Sequence, residues 1–434
     1  MSVDPQFDSG TTCVDLLDME SEAFMYLDGV TTVTFFDGPC PLEQVKERLV
    51  KVVQESPWVA GKLVKKKAKK TVYQMSFDTV AAAPEKIVEK LVSEIEMGIF
   101  STDKRAMPTS CEAFVKKVGK TKGHIKEDGF GLVKKGLPYA RLTIVRPSSN
   151  SGSAVGATSA WALIFSVSHV IADGYTYYRL LQMLSTKEEI VSLNPERWHS
   201  FVPRLKEAVG ANVYATYLGS APLIMNYIGN MLFGGKPRAK AFYVDAAKVQ
   251  KAKEKSSSSG TSGTDFVSTN DILTAYWGRM TGARLVEMSV NFRERFQELN
   301  KQHAGNYEGC MLFAPGDFQD PVSIRKGIQR KDGKFQSITE KPLPGFFEMR
   351  RCKYRIISNW SSFFSELEFD DCTQTLHIPY LAPSAMPTDV LIIFRPTRST
   401  YGVFTITRKL KDTAFTSNDS PLGAEIIPTK NVVK

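Results

Sequence analysis

The chain has 434 residues, of which 42% are hydrophobic and 24% charged; this is an ordinary soluble composition with ample core material, and too long for one ordinary core. The formal net charge of +10 favours polyanionic partners such as nucleic acid, an anionic membrane or a phosphate-rich ligand. The six cysteines (Cys13, Cys40, Cys111, Cys310, Cys352 and Cys372) form no CxxC pair, and the polar, acidic N-terminus "MSVDPQFDSGTTCVDLLDME" lacks a signal-peptide core. A reducing, cytoplasmic setting with free thiols is expected.

In chain order, "TTVTFFDG" predicts a strand and "PLEQVKERLVKVVQES" a helix, with Leu42, Val45, Leu49 and Val52 recurring at helical spacing. "SPWVAGKLVKK" enters another strand. The cluster "KLVKKKAKK", Lys62 to Lys70, reads as a solvated hairpin; with no zinc-finger spacing or stacking aromatics beside it, no nucleic-acid partner is expected. "KTVYQMSF" alternates as a half-buried strand, "PEKIVEKLVSEIEMGIF" reads as a helix, and "PYARLTIV" and "WALIFSVS" as strands. This alternation predicts an α/β architecture.

The pattern divides the chain into an N-terminal domain (1–195), a crossover (196–240) and a C-terminal domain (241–434). Within the crossover, residues 208–235 carry no charge, while Lys206 precedes them and Lys236, Arg238 and Lys240 follow. A spanning helix needs about 20 mainly apolar residues; Asn212, Gly219, Pro222, Asn226 and Asn230 dilute this run. It reads as a broken pair of amphipathic helices that pack on the body, line an apolar tunnel or rest on a bilayer surface. In the second half "AFYVD" is a strand, "AAKVQKAKEK" a helix and "KEKSSSSGTSGTD" a low-complexity surface loop. "FVSTNDILTAYWGRM" is a helix with Ser268 or Thr269 as N-cap. "RLVEMSVNF", "KYRIISNW", "DVLIIFRP" and "GVFTITRKL" are strands, and the residues from Thr416 on read as a tail.

One stretch carries chemistry: "WALIFSVSHVIADGYTYYRLLQML", Trp161 to Leu184. His169 stands where the apolar run stops, with Asp173 and Gly174 four and five places later. A neutral imidazole accepts a proton at cellular pH, so it serves as general base for an alcohol, amine or thiol. A nearby carboxylate orients such a base directly or fixes the backbone that carries it, and Gly174 permits a bend or the close approach of a ligand. The competing reading is a satisfied structural histidine at a strand end.

Three further segments follow: "FVSTNDILTAYWGRM", "MSVNFRERF" with the downstream "GNYEGC", and "ISNWSSF". Together with "HVIADG", in this order, they resemble the chloramphenicol-acetyltransferase-like superfamily and, within it, the BAHD acyltransferases, CoA-dependent enzymes with an HxxxDG motif. The resemblance covers about residues 160 to 365. It implies two similar α/β domains with mixed β-sheets flanked by helices, and a channel at their interface. His169 then sits midway as general base, with acyl-CoA entering from one side and a small-molecule acceptor from the other. Asp173 is implied to turn away and pair with Arg293, the arginine of the family's V-D-x-R strand. Ser358 and Trp360 match the family's S/T-x-W. They are candidate oxyanion donors alongside Asn359, Ser361 and Ser362, although Trp360 equally suits a core aromatic. Thr176 either bonds substrate or caps the following helix.

Two departures stand out. Asn291 replaces the aspartate of V-D-x-R, and "EFDDCTQTLHIP" replaces the plant-type DFGWG segment; His377, inside it, is read as structural. For the CoA phosphates the candidate cations are Arg395, Arg398 and Lys353. No metal and no permanently bound cofactor are expected, only acyl-CoA as co-substrate. The uncharged stretch suggests a lipophilic acceptor and peripheral membrane contact of a monomer. Two other readings use the same scaffold: a condensation-type transferase acting on a carrier-protein thioester, and a non-catalytic ligand-binding protein.

Overall fold

The run Trp161–Val167 is buried at every position, as a strand covered on both faces must be, and it forms the middle of a five-stranded sheet. The computed structural model describes residues 10–21, 29–66, 72–79, 83–96, 108–121, 123–125, 129–147, 160–216, 220–258, 266–331, 334–335 and 343–428. In the first sheet the spatial order is Thr373–Tyr380, Val30–Asp37, Trp161–Val167, Ala140–Arg146, Val92–Glu96. Neighbours are antiparallel except the last pair, which is parallel. The second sheet has seven strands in the order Glu308–Phe313, Leu285–Asn291, Tyr354–Asn359, Asp389–Thr397, Thr400–Thr407, Arg238–Val244, Leu422–Glu425. Its Tyr354–Asn359 strand is parallel to both neighbours.

Alternation along the central strands of the second sheet divides the interior. Ile357, Leu391 and Ile393 point into the C-terminal core with Trp277 and Phe313. Their sequence neighbours Ile356, Val390 and Ile392 belong to the cluster of the N-terminal sheet, with Phe36, Trp161 and Val167. A period of two thus gives each strand one face for its own domain and one for the domain interface.

Two expectations need correction, and the segment in the DFGWG position takes a form that the sequence left open. The stretch read as one helix from Pro84 breaks at Leu91, and Val92–Glu96 is a strand beside Ala140–Arg146. Val88 and Leu91 complete the helix's buried side, and "VSEIE" then alternates. The supposed tail contains the strand Leu422–Glu425, which pairs with Arg238–Val244. The segment in the DFGWG position supplies the strand Thr373–Tyr380, which leaves the C-terminal half to pair with Val30–Asp37.

The basic hairpin is present as the antiparallel arms Lys62–Lys66 and Val72–Asp78, and Lys67 to Lys70 lie outside the described residues. Of the serine-rich loop, Lys253 to Ser258 continue the helix Ala246–Ser258, and residues 259–265 lie outside. The uncharged stretch forms the end of the helix Phe201–Val209, then Ala211–Thr216 and Ala221–Phe233, with residues 217–219 outside the described set. Among the described residues no helix is long and apolar enough to cross a membrane. At the start of Thr269–Thr281 the cap is Ser268: its hydroxyl accepts from Asp271 N, and the Asp271 carboxylate accepts from Ser268 N at 2.8 Å.

His377 lies buried on the exchanged strand, its Nδ1 2.9 Å from Thr34 Oγ1 and its Nε2 2.9 Å from Tyr178 OH. Burial pushes its pKa down to about 3, so the folded state holds it neutral. The unfolded chain binds a proton there below about pH 6.5 and the folded chain does not, so its contribution is complete above that pH and is lost on acidification. The stability difference between wild type and His377→Gln, measured by urea unfolding, should shrink by about 1.4 kcal/mol per pH unit on going from about pH 6.5 to 5. A difference that does not change with pH would mean that this ring is not the group responsible.

Candidate active site

His169 emerges where Trp161–Val167 ends, in the turn before the helix Gly174–Gln182. Asp173 caps that helix, its Oδ1 accepting from Thr176 N at 2.8 Å. The imidazole is about a quarter exposed, so it is neither sealed in the core nor free on the surface.

The Asn306 amide fixes the tautomer of His169. Asn306 Nδ2 donates to Glu20 Oε1 at 3.0 Å, to His169 O at 2.8 Å and to Val170 O at 3.3 Å, all of them acceptors. Its Oδ1 therefore faces His169 Nδ1, 3.1 Å away. An acceptor there requires the proton on Nδ1, which leaves the Nε2 lone pair free. The nearest charged group to Nε2 is Glu308 Oε1 at 3.7 Å, beyond hydrogen-bond reach. Desolvation raises the Glu308 carboxyl above its ordinary value; the adjacent His169 acts in the opposite direction, and Asp173 adds to the rise.

Two buried ion pairs hold this loop in place. Arg293 Nη1 meets Asp173 Oδ2 at 2.7 Å with both side chains almost fully buried. The rest of the guanidinium donates to Thr176 Oγ1 and Gly305 O at 2.9 Å each and to His303 O at 2.8 Å. Asn291 Oδ1 accepts from Arg293 N and Nη1, so the residue that departs from V-D-x-R still supports the arginine. Arg197 and Glu20, both fully buried, meet at 2.9 Å. Glu20 also accepts from Asn306 N at 2.9 Å, while Arg197 donates to Ile171 O and Ala304 O. Gly305, at φ +132°, passes so close that a Cβ there would stand 2.9 Å from the Arg197 guanidinium, so only glycine fits.

Two cavities adjoin near the histidine, which lines the first of them. One, of about 120 Å³, is mostly apolar: His169 and Glu308 stand at one end, with Ile356, Val390, Ile392 and Met386 along its walls. Glu287 lies in the same wall, bonded by Cys310 Sγ at 2.9 Å and by the Tyr354 hydroxyl. Burial pushes its carboxyl up to about 7. The other cavity, of about 320 Å³, is the more polar of the two and includes Asn270, Asn291, Arg295, Asn359 and Ser362 beside Met288 and Phe363. Gly174, Ser289, Glu308, Ser358 and Trp360 line both. The polar cavity shares Asn270, Asn359 and Ser362 with an outer groove at Lys253, Arg395 and Tyr401, and that groove shares Ser361, Ser362 and Arg395 with another at Arg398. A polar path thus leads outward from the residues shared by the two cavities, and the apolar pocket that His169 lines extends on the other side.

The sequence-predicted residues are distributed as follows. Trp360 Nε1 donates to Ser358 Oγ at 3.1 Å, which leaves the Ser358 hydroxyl proton free to point elsewhere. Asn359 Oδ1 is occupied by Ser361 N and Oγ. Thr176 is buried against Gly305 and Arg293, and the helix cap is Asp173. Gly174 has no positive φ, and a methyl there would stand 3.5 Å from the Trp360 ring; the glycine keeps the passage open rather than permitting a bend. Arg395 stacks on Tyr401 and bonds its hydroxyl and Arg398 O at the end of the polar path. Lys353 precedes Tyr354, at the opposite end of the strand from Ser358, about 17 Å away at 3.3 Å per residue. Among the described residues no His, Cys, Asp or Glu cluster could hold a metal. Glu20, Arg197, Asn306 and Glu308 were not singled out by the sequence reading, although Asn306 and Glu308 lie inside the quoted "GNYEGC".

Asp173→Asn leaves the Arg293 guanidinium buried beside a neutral amide. Urea unfolding should show a loss of about 3–5 kcal/mol, and a loss below about 1 kcal/mol would remove the pair from its supporting role.

No family model and no curated protein matches the sequence. Solved structures do. TRI101 of F. sporotrichioides, complexed with coenzyme A and T-2, matches with a TM-score of 0.62 at 12% identity, over 94% of this chain and 97% of its own. Vinorine synthase matches at 0.58 and 13%, over 95% of each chain. The condensation domain of the Monacolin K polyketide synthase MokA matches at 0.54 and 12%, over 95% of this chain and 96% of its own. At such identities the likeness is one of fold: this chain has the two-domain α/β chloramphenicol-acetyltransferase-like fold, with its mixed sheets and flanking helices.

Proposed function

We propose that the protein is a CoA-dependent acyltransferase that moves an acyl group from acyl-CoA to a hydroxyl or amine of a lipophilic acceptor, with His169 as general base. The observation that carries this reading is the His169 imidazole in the wall of an apolar pocket, its Nδ1 held by Asn306 Oδ1, where that pocket adjoins a polar path. Acyl-CoA occupies the polar side, with its phosphates toward Arg395, Arg398 and Lys253 and the thioester near Ser358. The acceptor fills the apolar pocket with its nucleophile at Nε2. Solved proteins of this fold include one complexed with coenzyme A and a small molecule, T-2.

The steps balance within the site. Nε2 takes the acceptor proton as the acceptor oxygen or nitrogen bonds to the thioester carbon. The carbonyl becomes a tetrahedral oxyanion that accepts from the Ser358 hydroxyl. Its collapse breaks the carbon–sulfur bond, and the CoA thiolate recovers the proton from the imidazolium. Asp173 acts through position alone, since its oxygens are taken by Thr176 N, Arg293 and Tyr307 N.

Incubation with mixed acyl-CoAs and a lipid extract, following thiol release and product mass, tests the reading. His169→Ala should lower turnover by about 10²–10⁴; unchanged turnover would defeat it. Activity confined to phosphopantetheinylated carrier protein would instead favour the condensation-type reading.

Ser358→Ala should lower kcat by about 10²–10³ with KM for acyl-CoA little changed; a rise in KM alone would make Ser358 a binding residue.

Glu308→Gln should slow transfer on the order of tenfold, about 1.4 kcal/mol of barrier. The Glu308 carboxyl titrates above its ordinary value, so the wild-type/variant rate ratio should grow as pH rises on the acid side. A ratio flat with pH would remove its charge from the mechanism.

A further inference from the structure

The helix Ala221–Phe233 packs with its polar residues inward. Asn226 Nδ2 donates to the Met349 and Cys352 carbonyls at 2.7 and 2.9 Å, and Asn230 Nδ2 donates to Asn226 Oδ1 at 2.7 Å. Its apolar side faces out: Ile228 and Met231 are over half exposed, Leu232 69% and Phe233 77%. The adjoining helix Phe346–Met349 adds Phe346 and Phe347, the latter 79% exposed. None of the described residues of 208–235 lines either cavity at His169, which removes the tunnel reading of this stretch.

Cations border the patch. Lys236 follows the first helix, is 84% exposed in its side chain and makes one loose ion pair, with Glu112 at 3.7 Å. Lys409 lies beside Gly235, and Arg350 and Arg351 follow the phenylalanine pair. The intervening Glu348 is taken up by Arg284 at 2.5 Å. The patch also adjoins the apolar cavity. Gly234 abuts Arg408, whose Nη2 donates to Met386 O at 2.5 Å, and Met386 lines that cavity. From the inner side Tyr227 meets Tyr354 edge to face, and Tyr354 bonds Glu287 in the same cavity.

We propose that this face docks on a membrane surface carrying anionic phospholipid headgroups. The apolar side chains enter the headgroup boundary, the lysines and arginines meet the phosphates, and the acceptor pocket opens beside the lipid. An apolar stripe bordered by cations is the composition that such surfaces select. A second copy is a poor occupant, because a two-fold contact would set these cations against themselves. Docking stands independently of the acyl-transfer reading; only the lipid source of the acceptor rests on it.

The test uses the full chain with vesicles of phosphatidylcholine alone or mixed with phosphatidylserine, read by cosedimentation. Wild type should pellet with the mixed vesicles and detach as salt rises. Leu232→Ser/Phe233→Ser/Phe347→Ser should bind at least about tenfold more weakly, with its melting temperature unchanged. Lys236→Glu/Lys409→Glu should lose the preference for phosphatidylserine. Equal pelleting of the triple variant, or no pelleting of wild type, overturns the proposal. So does a wild-type dimer that the triple variant converts to monomer, which would make the face self-associating. Thioester cleavage with a water-soluble acceptor, followed in parallel, separates failure of docking from failure of the acyl-transfer reading, since the substituted positions lie outside the catalytic passage.

Discussion

The buried pair of Asp173 and Arg293 is the constraint on which the site depends. Each charge taken from water carries a desolvation cost of several kcal/mol, which mutual attraction offsets only when the remaining donors and acceptors are also satisfied. Here they are. Arg293 reaches five acceptor groups, on Asp173, Thr176, Gly305, His303 and Asn291, and Asp173 accepts from a helix start and from Tyr307 N as well. A lysine has no planar fork and could not make these contacts together. The bond set admits one arrangement of the 303–307 loop against the turn after His169. Glu20 and Arg197 add a second tie to the same loop and turn. Fixing the loop fixes Asn306, and Asn306 sets which imidazole nitrogen is bare. The carboxylate of the HxxxDG spacing thus acts on the imidazole through Arg293, the 303–307 loop and Asn306 and makes no contact with it.

The interface is built on sheet alternation. The strands that bury Ile357, Leu391 and Ile393 in their own domain present Ile356, Ser358, Val390 and Ile392 to the other. Register then groups the polar members: Ser358 lies opposite Ser289, and Glu308 opposite Asn291. The polar pairs sit toward one end of these strands and Ile356 and Val390 toward the other, so a single sheet face produces a polar path and an apolar pocket joined at Ser289, Glu308 and Ser358. The exchanged strand Thr373–Tyr380 ties the halves further, since its ladder with Val30–Asp37 crosses between them.

Much of this was legible in the sequence because it rests on local patterns. The apolar run at Trp161, the Ser268 cap and the HxxxDG spacing each declare their structure within a few residues. The strand at Thr373 was not legible: its partner is over three hundred residues away, and its polar positions, His377 included, are satisfied by Thr34 and Tyr178. The helix from Pro84 was overextended because charged and apolar residues continue at spacings that suit a helix until alternation takes over at Val92. Leu422–Glu425 is short and half exposed, an edge strand whose pairing depends on the Arg238–Val244 strand being there first. Glu20 is the hardest case. It looks like one more acid in an acidic leader, and only the fold buries it against Arg197. Asn306 and Glu308 carry a usable signal, since "GNYEGC" contains both, but their roles depend on the loop meeting the turn after His169, which local pattern does not declare.

Glu308 has a chemical logic that the histidine alone does not supply. Its carboxyl stands 3.7 Å from the His169 ring, in surroundings whose burial disfavours the carboxylate charge. In the proposed transfer, Nε2 takes the acceptor's proton, the ring becomes a cation, and that cation favours the carboxylate form of Glu308. At an effective dielectric near 20, unit charges about 4 Å apart attract by at most about 4 kcal/mol; partial proton transfer and the quarter exposure of both side chains reduce this to the roughly tenfold effect expected of Glu308→Gln. That attraction is absent before proton transfer and present after it, so it lowers the barrier rather than the ground state, which is the condition for an interaction to accelerate a reaction. A carboxylate in direct hydrogen bond to Nε2 would hold the proton there in the ground state and forfeit this difference. The gap between Glu308 and His169 is therefore part of the arrangement: wide enough to leave the base bare, and narrow enough for the charge to act once the proton arrives.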